Sequence, residues 1–268
     1  MTVQQVALPM YLGAPDAVQA LWSQLRNVLR AQGLDDLPDA VVWPTDLHAH
    51  WLAPNLLLSQ TCGYPLTHAL QGKVQLLGCF RYKAPGCEGI NCRSVLIARA
   101  EHANFSLENF RDRRVAFNSS DSQSGYNALR ALVAPLAKQG RFFNEALATG
   151  GHRQSVDAVR EGQADLAAID CVTWALLQKT TPQAAQGLRE IGCSAPYPGL
   201  PLISALGVDA GVIACLQSAL RSVLQDPAIQ LALDTLLITG FETPPLAVYQ
   251  RCTNLEQEAL VHGYPVLA

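Results

Sequence analysis

The chain reads as an α/β protein of two lobes, with mixed sheets flanked by helices, and three observations predict this. Strand-like and helix-like runs alternate from residue 114 to residue 178, which implies right-handed βαβ units on a mostly parallel sheet. Ahead of that stretch, residues 6–100 carry several strand-like runs and few helices. Behind it, residues 209–262 read as mostly helical, with no sheet of their own. The economical arrangement packs this tail back on the first unit, giving one lobe of residues 1–103 and 205–268 and another of residues 104–204. The chain then crosses twice, near residues 100–104 and 201–206, over segments short enough to act as hinges.

Each element has a local reason. Val6-Ala7-Leu8-Pro9-Met10-Tyr11 is the first strand. Residues 15–32 set Val18, Leu21, Trp22, Leu25, Val28 and Leu29 at helical spacing, with Pro15 in the first turn and Gly33 at the stop. Val41-Val42-Trp43 is a short strand, and residues 46–52 form a helix capped by Thr45 or Asp46. Asp46, His48 and His50 have metal-like chemistry, but their spacing separates the histidines around a helix, so the cluster reads as a solvated helix start. Residues 56–60, 74–82 and 94–100 are strands, the last two separated by a Gly/Pro/Cys loop. In the second lobe, strands 114–118, 145–149 and 164–170 alternate with helices 124–137, 153–161 and 172–178. Residues 188–193 and 202–205 are the final strands. Helices 210–224, 227–236 and 246–262 follow, broken at Gly240-Phe241-Glu242-Thr243-Pro244-Pro245.

Composition narrows the function. The 268 residues are 49% hydrophobic and 15% charged, as in a globular chain with ample core. A net charge of −3 without a basic run argues against nucleic acid as a partner. No run approaches the roughly 20 apolar residues that span a bilayer. The first residues, Met1-Thr2-Val3-Gln4-Gln5, show no basic region leading into an apolar stretch, as a secretory leader would. The eight cysteines are scattered, mostly in apolar contexts, which reads as reduced thiols and a cytoplasmic location, or a periplasmic one if a leader was removed. Cys87 and Cys92 share a loop, but a single pair falls short of a zinc ligand set, so neither metal nor cofactor is expected.

The candidate site centres on Asn118-Ser119-Ser120-Asp121-Ser122-Gln123-Ser124-Gly125-Tyr126, between a strand and a helix. A helix start offers N–H groups without intrahelical partners and the positive end of the helix dipole. Ser122 and Ser124 add hydroxyl donors, and Gly125 lets a ligand approach the backbone. His152, in Gly150-Gly151-His152-Arg153, lies at a second strand-to-helix turn of the same lobe, where open α/β sheets collect ligands. It either contacts ligand or caps its helix. Asp170 ends a buried strand and serves a ligand, caps the next helix, or does both. In the first lobe, Tyr11, Trp43 and Tyr64 either wall a pocket or pack in the core. Thr61 precedes a second helix N-terminus, and Ser204 either contacts ligand or ends a strand. No hydrolase elbow, zincin motif or phosphate loop occurs.

Three strings together resemble the phosphonate/phosphate-type substrate-binding proteins of ABC importers. They are Arg113-Arg114-Val115-Ala116-Phe117-Asn118 with Ser122-Gln123-Ser124-Gly125-Tyr126, then Thr149-Gly150-Gly151-His152, then residues 165–170. The resemblance implies a type 2 periplasmic-binding-protein fold with a ligand clamped between two lobes. It puts the oxyanion site on Ser122, Gln123, Ser124 and Gly125, with His152 and Asp170 facing it. It also implies a small anionic or zwitterionic ligand and an ABC permease as partner. The alternative is a cytosolic enzyme on the same fold, for which His152 with Cys62 or Cys171 is the available reactive set.

Overall fold

The computed structural model describes residues 4–11 and 13–268; residues 1–3, part of the segment read for a leader, lie outside the described residues. In chain order the strands are β1 (Gln5–Ala7), β2 (Leu56–Gln60), β3 (Val74–Tyr82), β4 (Asn91–Cys92), β5 (Ser94–Arg99) and β6 (Arg114–Phe117). They continue as β7 (Glu145–Ala148), β8 (Leu166–Asp170), β9 (Leu188–Cys193), β10 (Tyr197–Pro198), β11 (Pro201–Ala205) and β12 (Ile238–Glu242). The α-helices are α1 (Pro15–Ala31), α2 (Leu47–Trp51), α3 (Gly63–Thr67), α4 (Ala128–Val133) and α5 (His152–Arg160). They are followed by α6 (Cys171–Thr180), α7 (Pro182–Ala185), α8 (Ala210–Val223), α9 (Gln230–Leu236) and α10 (Gln250–Val261).

The chain divides into two units, residues 1–83 with 199–248 and residues 84–198 with 249–268, so it passes between them three times. This corrects the expected boundaries. Residues 84–103 and 249–268 belong to the second unit rather than the first, residues 199–204 belong to the first rather than the second, and the junctions fall near residues 83, 198 and 248.

The first unit holds a sheet of order β1-β2-β11-β3-β12, in which β1 and β2 are parallel and the other pairs antiparallel. Amphipathic α1 buries Val18, Leu21, Trp22, Leu25 and Leu29 and packs on α8 and α9. Its Trp22 indole donates to the Pro38 carbonyl at 3.0 Å. Trp51 is likewise buried, donating to the Gln60 carbonyl at 3.1 Å. Residues 41–43 form no strand; the Val42 N–H donates singly to the Val6 carbonyl. His50 is core rather than solvated, because Gln5 Oε1 and Ser59 Oγ, each 3.0 Å away, satisfy both ring nitrogens. The tail also contributes a strand that periodicity missed: β12 pairs with β3 where Gly240 interrupts the helical pattern.

The second unit holds a sheet of order β7-β6-β8-β5-β9 and a small ladder between β10 and β4. The pairs β6–β7 and β6–β8 are parallel, while β5 runs antiparallel to β8 and β9, so the sheet is mixed rather than mostly parallel. Leu96, Phe110, Val115, Leu129, Phe142, Phe143 and Leu166 fill its core together with Tyr264 and Leu267 of the C-terminal segment. That segment is held by polar bonds as well as packing. Arg130, buried on α4, donates to the Pro265 carbonyl at 2.7 Å and pairs with Glu256 at 3.2 Å. The Ala268 carbonyl accepts from the Phe142 and Phe143 N–H groups at 2.7 and 2.9 Å. Helix economy placed this segment in the other unit; the partners of a buried guanidinium decide otherwise.

Gly78, in the middle of β3, has φ +151°, and a Cβ there would lie 2.3 Å from the Glu242 carbonyl oxygen. Gly78→Ala must therefore push β12 away, and urea unfolding is expected to show a loss of about 3 kcal/mol or more. Gly72→Ala, at φ +70° with nothing within 4 Å, is expected to cost only the backbone strain of about 1 kcal/mol. Equal losses would contradict the close approach.

Candidate anion-binding site

After β6 the chain makes a buried polar turn. Residues 122–130 are all buried, although Ser122, Gln123, Ser124, Asn127 and Arg130 are polar. The turn 123–127 is π-helical: the Asn127 N–H reaches the Ser122 carbonyl at 2.9 Å. Such π turns recur at functional sites because they re-aim side chains within a helix. Asn127 stabilises the extra residue, donating to Gln123 Oε1 at 2.9 Å and to the Cys252 carbonyl at 2.8 Å. Ser122 is the N-cap; its Oγ accepts from the Gly125 N–H at 3.0 Å and lies 3.4 Å from Ser124 Oγ. Behind the turn, Ser94 Oγ donates to the Ser124 carbonyl and lies 2.8 Å from the buried Tyr197 hydroxyl. Burial raises the Tyr197 pKa well above the phenol value, so this support is neutral.

His152, the first residue of α5, meets the turn directly: its Nε2 lies 2.7 Å from Ser124 Oγ. Burial lowers its pKa to about 4, so the ring is neutral near pH 7. Its Nδ1 is buried without a hydrogen-bond partner. The same holds for Oδ1 of Asn118, the residue that follows β6. Both side chains crowd Gly125, where a Cβ would lie 2.0 Å from Asn118 Oδ1 and 3.2 Å from His152 Cε1. The glycine is therefore required by side chains of its own unit, not only to admit a ligand. The Gly150 N–H, at the turn before α5, donates to the Asn118 carbonyl at 2.9 Å and ties the two turns together.

The geometry leaves donors in place. A neutral imidazole carries one N–H. If Nε2 accepts from Ser124, Nδ1 bears the free proton; if Nε2 donates, the Ser124 hydroxyl is the free donor. Either tautomer leaves the Ser124–His152 pair one hydrogen beyond the bond between them.

Of the sequence-selected residues in this unit, Ser122, Gln123, Ser124, Gly125 and His152 come together. Tyr126 does not: it packs edge-on against Phe117, and its hydroxyl accepts from the Leu267 N–H at 3.1 Å. Asp170 caps α6, accepting from the Thr173 N–H at 2.8 Å. Arg153 pairs with Asp157 at 2.9 Å on its own helix. Asn118 was included in the candidate run without a role of its own, and Ser94 and Tyr197, which support the turn, were not singled out. The position of Asn118 at the carboxyl end of a strand was a usable signal; Ser94 and Tyr197 are distant in sequence and gave none.

In the first unit, Tyr11 is buried edge-on against Tyr82, with ring centroids 5.4 Å apart. Thr61 is fully buried, its Oγ1 without a hydrogen-bond partner and its N–H on the Pro201 carbonyl at 2.9 Å. Tyr64 stacks on His68 at 3.8 Å, and Trp43 is 39% exposed. Ser204 is buried in β11 and donates to the Leu57 carbonyl.

The neutral state of His152 has a pH signature. Above its ordinary value of 6.5 the ring is uncharged in folded and unfolded chains alike, and its full contribution to stability is present. As pH falls from 6.5 toward about 4, the unfolded chain takes up a proton that the folded chain refuses, so stability is lost through that window. Urea unfolding at about pH 7.5 and about pH 5 is expected to show a larger acid loss for the wild type than for His152→Gln. Identical losses would show that His152 does not titrate in this way.

Comparison with known proteins identifies the family. The model of a family described as ABC transporter, phosphonate, periplasmic substrate-binding protein matches residues 44–249. A search among curated proteins finds no sequence match. Among solved structures, PhnD1 from Prochlorococcus marinus in complex with methylphosphonate superposes with a TM-score of 0.77 at 13% identity, over 96% of this chain and 97% of that one. A binding protein component of an ABC phosphonate transporter from Pseudomonas aeruginosa gives 0.76 at 16%, over 98% and 88%. XAC2383 from Xanthomonas citri bound to ATP gives 0.72 at 16%, over 98% of both. At these identities the likeness establishes the fold, that of the two-lobed type 2 periplasmic binding proteins. The family match, which spans most of the sequence, establishes more: the chain belongs to the phosphonate ABC-transporter periplasmic substrate-binding proteins, a family of solute-binding proteins rather than enzymes.

Proposed function

We propose that the turn at residues 122–125 holds the oxyanion of a phosphonate-like ligand, with Ser124, His152 and Asn118 as its side-chain contacts. The observation that carries this reading is the convergence of the His152 ring and the Asn118 side chain on Gly125, with His152 Nδ1 and Asn118 Oδ1 both buried and without hydrogen-bond partners. Buried polar atoms are nearly always bonded in folded proteins, so two such atoms at one helix start point to a missing partner. A phosphonate monoanion supplies one. Its charged oxygens accept from the Ser124–His152 pair and the helix start, while its remaining P–OH donates to Asn118 Oδ1. A carboxylate lacks that hydroxyl and the third oxygen. The methylphosphonate carried by the Prochlorococcus marinus neighbour supports the same ligand class here.

The family implies delivery of the ligand to an ABC permease. We infer that the chain works on the periplasmic side, where its family works, in place of the cytoplasmic location suggested by composition. Free cysteines alone weigh less than family membership.

Titration calorimetry with methylphosphonate, inorganic phosphate, ATP and acetate tests the reading. Methylphosphonate is expected to bind near micromolar, about 8 kcal/mol, with acetate far weaker. Ser124→Ala removes a hydrogen bond to a charged group and is expected to weaken methylphosphonate about ten- to a hundredfold. Gly125→Ala is expected to do worse, since its Cβ displaces Asn118. Equal affinity in all three proteins would reduce the turn to a helix cap. No heat with any phosphorus anion would remove this ligand class.

A further inference from the structure

Cys87 and Cys92, a lone loop pair in the sequence, are joined in the second unit by Cys171, 79 positions beyond Cys92. Cys87 Sγ lies 3.7 Å from Cys92 Sγ and 3.5 Å from Cys171 Sγ, and all three sulfurs fall within 4.8 Å of one another. Cys92 and Cys171 are buried, while Cys87 is half-buried. We propose that Cys87, Cys92 and Cys171 form a tri-thiolate site for one thiophilic d10 cation of the zinc type, with its fourth position open to solvent.

Geometry supports a metal over a simple thiol pair. Tetrahedral zinc with Zn–S bonds of about 2.3 Å sets its sulfurs about 3.8 Å apart, close to the two separations here. A disulfide engages two sulfurs and leaves no role for a third at the same distance. The backbone also serves the cluster. Glu88 and Asn91 exchange N–H···O bonds at 2.9 Å each, closing a tight turn that sets Cys87 opposite Cys92. Gly86, at φ +92°, brings the loop onto α6, where a Cβ would lie 3.3 Å from Cys171 Cβ. The Cys171 N–H donates to the Arg93 carbonyl at 3.0 Å, fixing the third ligand against the strand that begins at Ser94.

Three protein ligands and an open position mark an exchangeable site rather than a closed structural one. Soft sulfur donors select zinc or copper(I) over magnesium or calcium. On binding, S–metal bonds replace S–H bonds and the displaced thiol protons pass to the buffer, with no change of oxidation state.

The experiment uses the full chain, reduced and kept anaerobic, titrated with Zn(II) against a competing chelator and with Cd(II) for its thiolate charge-transfer absorption. One equivalent is expected to bind, with the cadmium band present and the melting temperature raised. Cys87→Ser, Cys92→Ser and Cys171→Ser are each expected to weaken zinc by more than the roughly ten- to hundredfold that loss of an outer-shell partner costs. Cys193→Ser, at an exposed position, should change nothing. Cys87→Ser carries most weight because its half-buried side chain is the least tied to the core, and circular dichroism checks that it folds. Gly86→Val keeps every thiol and is expected to weaken zinc by opening the triad. Zinc affinity that survives Cys87→Ser, or no binding by the reduced protein, overturns the proposal. So does a Cys87–Cys92 or Cys87–Cys171 disulfide in freshly purified, unreduced protein.

Discussion

Burying a polar helix start is the constraint on which the second unit depends. Nine consecutive residues, 122–130, are buried, and five of them carry polar side chains. An unbonded amide or hydroxyl in such a place costs on the order of 1–3 kcal/mol, so the surroundings must supply partners. They come from across the chain: Ser94 for the Ser124 carbonyl, and the Cys252 and Pro265 carbonyls for Asn127 and Arg130. The C-terminal segment is thus part of the site's support. Its membership of this unit follows from the hydrogen-bonding demands of α4 as much as from apolar packing.

Against that background the few unsatisfied atoms carry information. His152 Nδ1 and Asn118 Oδ1 are buried without hydrogen-bond partners, and the two side chains both crowd Gly125. The guanidinium within the turn is already engaged: Arg130 bonds the Pro265 carbonyl, Asn127 Oδ1 and Glu256. Arg153, the guanidinium that spacing brought closest, is engaged by Asp157, and His152 is kept neutral by burial. An anion here would be held by oriented neutral donors and a helix start. Such a site would select by hydrogen-bond count and geometry, and on the proposed reading would distinguish a three-oxygen anion from a carboxylate.

The thiol cluster and the polar turn share one piece of framework. Ser94 on β5 stands opposite Asp170 on β8, Asp170 caps the helix that begins with Cys171, and Ser94 itself bonds the turn. The β5–β8 pairing therefore positions both the sulfur triad and the buried polar turn. This explains why β5 belongs with the later strands despite its early place in the chain.

The local elements and the polar run after β6 were legible from residue order alone. Helix α1 was legible because its apolar residues repeat at helical spacing after a proline start, and β2, β3 and β9 because they are bounded by turn chemistry. The Ser-Gln-Ser-Gly run was legible because a helix start after a strand has unsatisfied N–H groups whatever the rest of the chain does. Tertiary structure decided what depends on distant partners. Strand β12 has too short a pattern to declare itself and forms because β3 offers it an edge. His50 looked solvated until Gln5 and Ser59 closed over it. Tyr126 and Ser204 left the candidate site because Leu267 and Leu57 claim their hydroxyls, and Cys171 joined Cys87 because two elements far apart in sequence meet. Backbone preference is local and can be read residue by residue, whereas satisfaction of a buried polar group is settled only when the whole unit has folded around it.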